Sequence, residues 1–366
     1  MGDWANLLPD VLLEITTHLT SYKDFVAFAS VCSSWRSVAI MEKPRFLFKF
    51  TPLLMLAPEK PTDQRGFYSF LADLTRYFIL PEANSRRCLS SRGWLLTIAE
   101  ADLSMALLHP FSRFEIKLPH PKTFRYWESF SRDVEPTELH VLSIAKFVLA
   151  SNPMCTSDYV VMVLCGAGGD IAYCKPGDKS WIRIESSVYN YDITYYKGLY
   201  YCINDKGQIM LCDLTKKVSV EVAQMPHRKS LQSVLYIMES AGTLIVVERT
   251  IYEEEREEGS YGTIGFKVFQ VDLGNNNWTE VKDLGNRALF LGYNSSFSVA
   301  ALYCKANCIY FTDDCSETYL DEEFHPKGGG KDIGIYNILD GSIESCFHFE
   351  GNSFSFVNPP MWIQQF

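Results

Sequence analysis

Apolar residues recur with a helical period only at the start of the chain. Four of them follow one another at intervals of four, three and four, which places one stripe along a helix: Leu8, Leu12, Ile15 and Leu19. Pro9 suits the first position of a helix, where its missing N–H is not needed. Asp10 adds negative charge near the positive end of the helix dipole. The pattern predicts a helix that begins at Pro9.

Two further helices are predicted before residue 45. Residues 21–24 have the form of a capping box, and the apolar residues that follow have helical spacing: Phe25, Phe28, Ala29 and Cys32. A third short helix has Ser33 or Ser34 as its cap and ends near Pro44, and its apolar face consists of Trp35, Val38 and Ala39. A unit of about forty residues without metal or disulfides rarely buries a sufficient core alone. We therefore expect its apolar stripe to be buried against the following domain or against another protein.

Beyond Pro44 the pattern changes to short apolar segments separated by turn residues, which is typical of a sandwich, barrel or propeller. The later groups share one order: a strand, an apolar strand led by Gly or Asn, a strand that ends in a polar turn, and a final strand. The groups span residues 53–80, 93–119, 147–184, 193–222, 234–281 and 297–347. Four strands per repeat are typical of a blade, so the pattern predicts a six-bladed β-propeller. A pair of β-sandwiches and a seven-bladed propeller are the alternatives.

The first of these groups lacks a fourth strand. It contains three apolar segments, at residues 53–56, 66–71 and 77–80. Because a radial fold must hide the ends of its chain, we expect the C-terminal segment to pair near residues 50–56 and close the ring.

Composition and charge narrow the classes of partner. The 24 Phe, 20 Tyr and 7 Trp fit pleated sheets better than helices. A formal net charge of −10, without a Lys/Arg stripe, disfavours nucleic acids and anionic membranes as partners.

The longest apolar run, residues 159–167, is far shorter than the roughly 20 residues of a membrane span, and no secretory signal is apparent. Eleven scattered cysteines without a CxxC pair indicate a reducing compartment, so we expect the protein in the cytoplasm, the nucleus or both.

The first forty residues resemble a known domain, the F-box. The resemblance lies in the spacing of Leu8, Pro9, Leu12, Ile15 and Leu19, followed by Val31-Cys32-Ser33-Ser34-Trp35-Arg36. One departure is Phe25, where Leu is commoner. The resemblance implies an F-box domain at residues 1–44 that binds a Skp-type adaptor and, through it, cullin and RING subunits. It implies that the docking surface and its supporting core consist of Leu8, Pro9, Leu12, Ile15, Leu19, Val31 and Trp35.

The rest of the chain resembles plant F-box proteins that carry a C-terminal F-box-associated domain of unknown function. The resemblance lies in the kelch-like groups and in the ending at residues 358–363, Asn-Pro-Pro-Met-Trp-Ile. It implies that residues 45–366 form a propeller-like domain that holds a protein target for ubiquitination. The chain would then be a non-catalytic, substrate-recognition subunit of an SCF-type ubiquitin ligase. The sequence assigns no residue to target binding.

Three other patterns were weighed as sites. The Gly-rich segments 166–170 and 328–331 lack phosphate-loop spacing and favour hairpin turns. Residues Cys304, Cys308, Cys315 and His325 match no common zinc pattern, and no nucleophile stands out, so we predict no metal, cofactor or catalytic residue. The charge run at residues 253–258 favours a solvated loop between two strands, with an acidic platform for a basic target as the alternative.

A second function competes with the ligase receptor. In it the propeller is a carbohydrate-binding module or an enzyme, and the helical start is incidental. This hypothesis predicts carboxylates or metal ligands that converge on the central channel.

Overall fold

The computed structural model describes sixteen stretches of the chain: residues 4–19, 22–48, 51–58, 62–70, 72–125, 127–135, 138–166, 169–186, 188–226, 233–254, 260–302, 304–316, 320, 325, 327–345 and 354–364. These residues form an N-terminal helical unit followed by six sheets in a ring. The predicted fold, mainly β with a small helical start and a six-bladed propeller, is confirmed.

The helical unit comprises a 3₁₀ turn and three helices: Trp4–Asn6, α1 Pro9–His18, α2 Tyr22–Ala29 and α3 Ser33–Phe48. The first helix begins at Pro9 and has Asp10 in its first turn, as predicted. The prediction of a short third helix that ends near Pro44 was wrong, because α3 continues to Phe48. Phe46 is buried and stacks on Phe25 of α2, with ring centroids 4.2 Å apart. This burial offsets the single backbone hydrogen bond that a proline removes from a helix.

The three helices bury a core of their own. Its buried members all lie in these helices: Leu12, Phe25, Phe28, Trp35, Val38, Ala39 and Phe46. The expectation that the stripe needs a second domain or a second polypeptide for its burial was therefore wrong. Four aromatic rings supply the volume that short helices usually lack, and two of them, Phe28 and Trp35, have centroids 4.7 Å apart.

Each of the first three blades has four strands, and the fourth strand of blade 1 is the final strand of the chain, Met361–Ile363. Blade 1 contains β1 Leu53–Met55, β2 Gln64–Ser69 and β3 Leu74–Ile79, and blade 2 contains β4 Arg86–Ser91, β5 Trp94–Ala99, β6 Met105–Leu108 and β7 Glu115–Lys117. Blade 3 contains β8 Ile144–Leu149, β9 Val161–Cys165, β10 Asp170–Cys174 and β11 Ile182–Ile184. Two 3₁₀ turns and two short helices connect these blades: Pro81–Ala83, Pro121–Thr123, α4 Trp127–Asp133 and α5 Leu139–Leu142.

The last three blades follow the same plan with one addition. Blade 4 contains β12 Asn190–Tyr196, β13 Leu199–Asn204, β14 Gln208–Asp213 and β15 Val218–Gln224, and blade 5 contains β16 Ser233–Ser240, β17 Thr243–Glu254, β18 Ser260–Asp272 and β19 Asn277–Val281. Blade 6 has five strands: β20 Arg287–Leu291, β21 Phe297–Ala300, β22 Cys308–Phe311, β23 Gly334–Asn337 and β24 Ile343–Ser345. The final strand, β25 Met361–Ile363, returns to blade 1.

The ring closes through this last strand, as predicted. The strand β25 pairs antiparallel with β1, in the register Leu53 to Ile363 and Met55 to Met361, and supplies the missing strand of blade 1. Trp362 is completely buried between blades 1 and 6, where its ring meets Phe70, Phe290 and Tyr310 at centroid distances of 5.3, 5.0 and 5.8 Å. The N- and C-terminal parts of the propeller are therefore held in one sheet.

Two blades differ from the predicted groups. The second group was predicted without its first strand, β4. In the sixth group strand β20 was not predicted. It lies between the predicted neighbours β21 and β22, and it pairs antiparallel with β21 and parallel with β22. The glycines at residues 328–330 do not form a hairpin turn, since Gly329 bridges Ser355 in a long connection. The segment at residues 166–169 does join the paired strands β9 and β10, as predicted.

The described residues of two connections gather on one face of the propeller, which we call the insertion face. These connections are residues 118–143 between β7 and β8 and residues 312–333 between β22 and β23. Their side chains share one hydrophobic cluster with Tyr261 of β18: Trp127, Leu139 and Cys315. Long connections of this kind are where binding residues are commonly found.

Candidate docking surface and propeller centre

The structure divides the seven predicted adaptor-binding residues into a surface set and a core set. Leu8 is 69% exposed, Val31 is 52% exposed, and Pro9 is also exposed. Leu12 and Trp35 are buried in the helical core, and Ile15 and Leu19 pack against it from its edge. The surface set can contact a partner without rearrangement, Leu12 and Trp35 shape the helices from inside, and Ile15 and Leu19 are only partly buried.

One exposed aromatic residue of the helical unit was missed at the level of sequence. Trp4 is 64% exposed, and its backbone is fixed because the indole Nε1 of Trp35 donates to its carbonyl oxygen at 2.8 Å. The hydroxyl of Ser34 donates in the same way to the carbonyl oxygen of Ala5, at 3.0 Å. These bonds hold the Trp4 backbone beside the start of α3. This helix begins at Ser33, shortly after Val31. Trp4 precedes the helical stripe, so periodicity gave no signal for it.

The centre of the propeller is filled by its own chain. The innermost strands of the six blades lie side by side around the axis: β25, β4, β8, β12, β16 and β21. Residues 292–296, between β20 and β21, are all buried and enter this space. We call this segment the central plug.

The central plug bonds to three blades other than its own. In blade 2, the backbone N–H of Ser295 donates to the carbonyl of Ser90 at 2.8 Å. In blade 3, the Lys146 ammonium donates to the carbonyl oxygens of Gly292 and of Asn294. In blade 4, the Ser296 hydroxyl donates to Asp192 at 2.6 Å. The central plug thus supplies hydrogen-bonding partners to Ser90, Lys146 and Asp192 of the inner strands.

Asp192 is the acidic group of this centre. Besides the Ser296 hydroxyl it accepts the backbone N–H of Ile237 at 3.1 Å. Burial raises the pKa of its carboxyl above the usual 3.8, and the nearby Lys146 and the bond from Ser296 only partly oppose this shift. The charged form of Asp192 is therefore costly in the folded state.

This shift predicts a pH-dependent stability. The folded-state pKa of Asp192 is raised above its unfolded-state pKa. The stabilisation that protonated Asp192 contributes to the folded protein is therefore fully present below the unfolded-state pKa, and it is lost as the pH rises through the folded-state pKa. We expect the difference in unfolding free energy between wild type and Asp192→Asn to fall as the pH increases above about 4. Urea unfolding of both proteins across a pH series measures this difference. A constant or growing difference would contradict the shift.

A buried ion cluster fixes the insertion face. The side chain of Arg249 is fully buried, and its guanidinium donates to Asp314 at 2.9 Å and to Asp332 at 2.7 Å. Burial alone would lower the pKa of Arg249, but Tyr236 and the two carboxylates more than offset this and raise it. The cluster thus ties β17 to the connection between β22 and β23.

A second buried contact lies beside the first. The Tyr261 hydroxyl donates to Asp313, and the Tyr261 ring stands edge-on to His325 with centroids 5.2 Å apart. Asp313 also accepts the backbone N–H of Gly330 at 2.7 Å. Burial raises the pKa of both Tyr261 and Asp313. These side chains are occupied by one another, so they hold the fold of the face together.

The residues weighed as zinc ligands do not form a metal site in the described part of the chain. Cys308 lies in strand β22, and His325 is buried against Tyr261. Across the described residues, three or more His, Cys, Asp or Glu side chains nowhere come together in a way that could hold a metal ion. Seven of the ten described cysteines are buried, as small apolar side chains are.

An open cleft of about 640 Å³ lies between blades 1 and 2. Glu82 and Glu100 are among its lining residues. Glu82 accepts three hydrogen bonds from the Arg113 guanidinium, at 2.6, 2.9 and 3.2 Å, and this contact lowers the pKa of its carboxyl. A general acid requires the opposite shift, so Glu82 is not suited to that role.

The fold and the surface define a class of protein: a six-bladed propeller behind a three-helix unit with exposed apolar side chains. Three Arabidopsis thaliana proteins match this chain over nearly its full length. F-box protein SKIP23 is 25% identical and covers 99% of this chain and 96% of its own length. F-box protein At2g17036 is 24% identical, with 99% and 95% coverage, and F-box protein At4g35733 is 27% identical, with 94% and 96%. The chain resembles plant F-box proteins from end to end, as its sequence indicated.

The propeller domain also matches a protein family. Residues 67–337 match the model of the KIB1-4 β-propeller. The chain belongs to this family. None of the helices in the described ranges is long and apolar enough to cross a membrane.

Proposed function

We propose that this protein is the substrate-recognition subunit of an SCF-type ubiquitin ligase. In this role the helical unit docks on a Skp-type adaptor, which links it to cullin and RING subunits. The propeller binds a protein target in the cytoplasm or the nucleus and positions it for ubiquitination. The subunit itself makes and breaks no bonds, and it acts by raising the local concentration of target lysines near the conjugating enzyme.

One observation carries the proposal. The helical unit already buries its own core, yet Leu8 and Val31 remain more than half exposed on its surface. Scattered exposed apolar residues are ordinary, but these two occupy positions that match the F-box pattern, in a chain whose relatives are F-box proteins. An adaptor that covered them would remove apolar area from water, which is the main driving force of association.

The domain division is part of the proposal. We place the F-box in residues 1–44 and the target-binding domain in residues 45–366, with α3 continuing to Phe48 across this boundary. Variants made to test docking must respect the core. Leu12→Asp and Trp35→Ala would disrupt the helices themselves, because both side chains lie inside them.

The test is the variant Leu8→Asp. We expect it to weaken binding of the full chain to a purified Skp-type adaptor by about 30-fold or more, as truncating a contact at the centre of an interface does. Biolayer interferometry measures the affinity. Leu302→Asp is the matched control, because Leu302 is 68% exposed but belongs to the propeller.

Two further results would decide the matter. Circular dichroism should show unchanged thermal unfolding for both variants, since surface substitutions usually change stability by less than about 0.5 kcal/mol. If Leu8→Asp bound the adaptor as wild type does, the proposed docking surface would be wrong.

The second hypothesis, a propeller enzyme or carbohydrate-binding module, is less well supported. It requires carboxylates or metal ligands that are open to a channel. Asp192 and Asp313 are instead buried and bonded to neighbouring groups, and the central plug occupies the axis.

A further inference from the structure

Exposed lysines collect in two turns of blades 3 and 4. The turn between β10 and β11 contains Lys175 and Lys179, and the turn between β14 and β15 contains Lys216 and Lys217. All four residues are exposed. We call residues 175–181 and 214–217 the lysine turns.

The two lysine turns lie side by side. The hydroxyl of Tyr173, near the end of β10, donates to the carbonyl oxygen of Leu214 in the turn of the neighbouring blade, at 3.3 Å. Strand β8 of blade 3 starts at the insertion face, where the connection 118–143 ends, and alternate turns of an antiparallel sheet lie at the same end. The lysine turns are therefore adjacent to each other on the face opposite the insertion face.

Hydrogen bonds fix the backbone of both turns. In the first turn, the N–H of Lys175 donates to the carboxylate of Asp178 at 2.8 Å, and the N–H of Asp178 donates to the carbonyl oxygen of Lys175 at 3.1 Å. In the second turn, the N–H groups of Thr215 and Lys216 both donate to the carboxylate of Asp213 at 2.9 Å. A surface that is fixed before binding loses less conformational freedom when a partner docks.

Positive charge exceeds negative charge on this surface. The four lysines are accompanied by two carboxylates, Asp178 within the first turn and Asp213 directly before the second. The corresponding turns of blade 5, residues 241–242 and 273–276, contain no Lys or Arg, and the whole chain has a net charge of −10. The lysine turns are thus a local positive surface on a negatively charged protein, and such a surface attracts anionic groups.

The acidic run that the sequence shows at residues 253–258 belongs to blade 5 instead. Its predicted solvated loop can begin only at residue 255, because β17 includes Glu253 and Glu254. Residues 255–258 lie outside the described part of the chain, so the alternative of an acidic platform stays a prediction.

The type of cation indicates the type of anion. Phosphoryl groups are commonly recognised by Arg, whose planar fork donates two parallel hydrogen bonds. The lysine turns contain no Arg, and their four ammonium groups are distributed over two turns. Separate point charges match carboxylates that are spaced along a peptide better than they match one phosphoryl group.

We propose that the lysine turns are a docking surface for the ligase target, and that they bind a segment rich in Asp and Glu. The carboxylates of this segment pair with the four ammonium groups of the turns. Complementary charge of this kind accelerates association and selects the partner. This inference rests on the proposed function, since it names the part of the propeller that holds the target.

The test uses peptides of defined sequence. The full-length protein is used to select from a phage-displayed library of random peptides, and the enriched peptides are then synthesised and measured by fluorescence anisotropy. We expect enrichment of peptides with several Asp or Glu residues. Lys179→Glu with Lys217→Glu, one substitution in each turn, should weaken these peptides about 5- to 30-fold, because each attraction becomes a repulsion. The difference from wild type should shrink as the salt concentration rises.

The matched control is Lys267→Glu with Lys282→Glu. It makes the same change in net charge at two exposed lysines in or beside the strands of blade 5. It should bind the selected peptides as wild type does, and circular dichroism should show the same thermal unfolding for both double variants. The proposal is overturned if no acidic peptide is enriched, or if the two double variants bind equally.

A second arm separates carboxylates from phosphoryl groups. A selected peptide is resynthesised with phosphoserine in place of one acidic residue, and it should bind less than about 10-fold more tightly than its parent. A larger gain would overturn the assignment to carboxylates. Adaptor binding by the Lys179→Glu, Lys217→Glu variant is measured alongside: it should be unchanged, so a failure of the lysine turns is distinguishable from a failure of the ligase role.

Discussion

Replacing Trp362 with alanine should lower the free energy of unfolding by about 3–5 kcal/mol, the usual cost of truncating a buried aromatic side chain. The side chain is completely buried in the closing strand, where it meets rings of blades 1 and 6. Its loss leaves a cavity where the two ends of the propeller join. Urea unfolding of the full chain, followed by tryptophan fluorescence and circular dichroism, measures the effect.

The control is the same substitution at Trp4, which is 64% exposed. Trp4→Ala should change the free energy of unfolding by less than about 0.5 kcal/mol. Equal effects at both positions would contradict the closure described here.

Arg249→Ala should lower the free energy of unfolding by about 3–5 kcal/mol, as much as Trp362→Ala but for a different reason. The substitution leaves the carboxylates of Asp314 and Asp332 buried without their main counter-charge, and an uncompensated buried charge is strongly destabilising. The loss should appear as a lower midpoint of urea unfolding. Arg183→Ala is the control, because Arg183 pairs with Asp170 and Glu185 where its side chain is 30% exposed, and it should cost less than about 1 kcal/mol.

A triple variant separates charge from packing. Arg249→Met combined with Asp314→Asn and Asp332→Asn removes the positive charge and both negative charges. It should be more stable than Arg249→Ala, because the two carboxylates that Arg249 neutralises are removed together with it, even though buried Lys146 loses its ion pair with Asp314. If the triple variant were less stable than the single one, the cluster would act through its hydrogen bonds and shape more than through its charges.

Much of the fold could be predicted because its patterns are local. The stripe on α1 and the turn-bounded apolar strands follow from periodicity alone. The inner strand β4 was missed because its sequence, Arg-Arg-Cys-Leu-Ser-Ser, does not have the composition of a strand. Its polar groups are bonded elsewhere, for example Ser90 to the carbonyl of Trp362 and Cys88 to Asn358. Such partners, about 270 residues away, leave no local signal.

Strand β20 was not predicted, and the order of the strands around it differs from the predicted order as well. Strands that are adjacent in sequence usually pair antiparallel through a tight turn, whereas a parallel pair requires a longer connection. The connection here contains β21 itself. Periodicity identifies a strand, but it does not specify the neighbour of that strand.

The sequence did not predict which side chains of the helical unit are exposed and which are buried. Leu8 and Leu12 belong to one stripe, yet the first is exposed and the second is buried, because Leu8 precedes the helix that turns Leu12 inward. The stripe therefore placed both residues in the proposed docking unit without separating the buried side chain from the exposed one. Arg249 likewise gave no sign of its partners, which lie 65 and 83 residues further along the chain.

The central plug has a consequence for synthesis on the ribosome. Blades 2, 3 and 4 are translated well before residues 292–296, yet Ser90, Lys146 and Asp192 receive hydrogen-bonding partners from that later segment. Until the sixth blade leaves the ribosome, water must supply the hydrogen bonds of these groups. The centre of the propeller therefore lacks the central plug during most of translation. A product terminated early would therefore keep an open, hydrated hub, so folding of the earlier blades is coupled to the last part of the chain to be made.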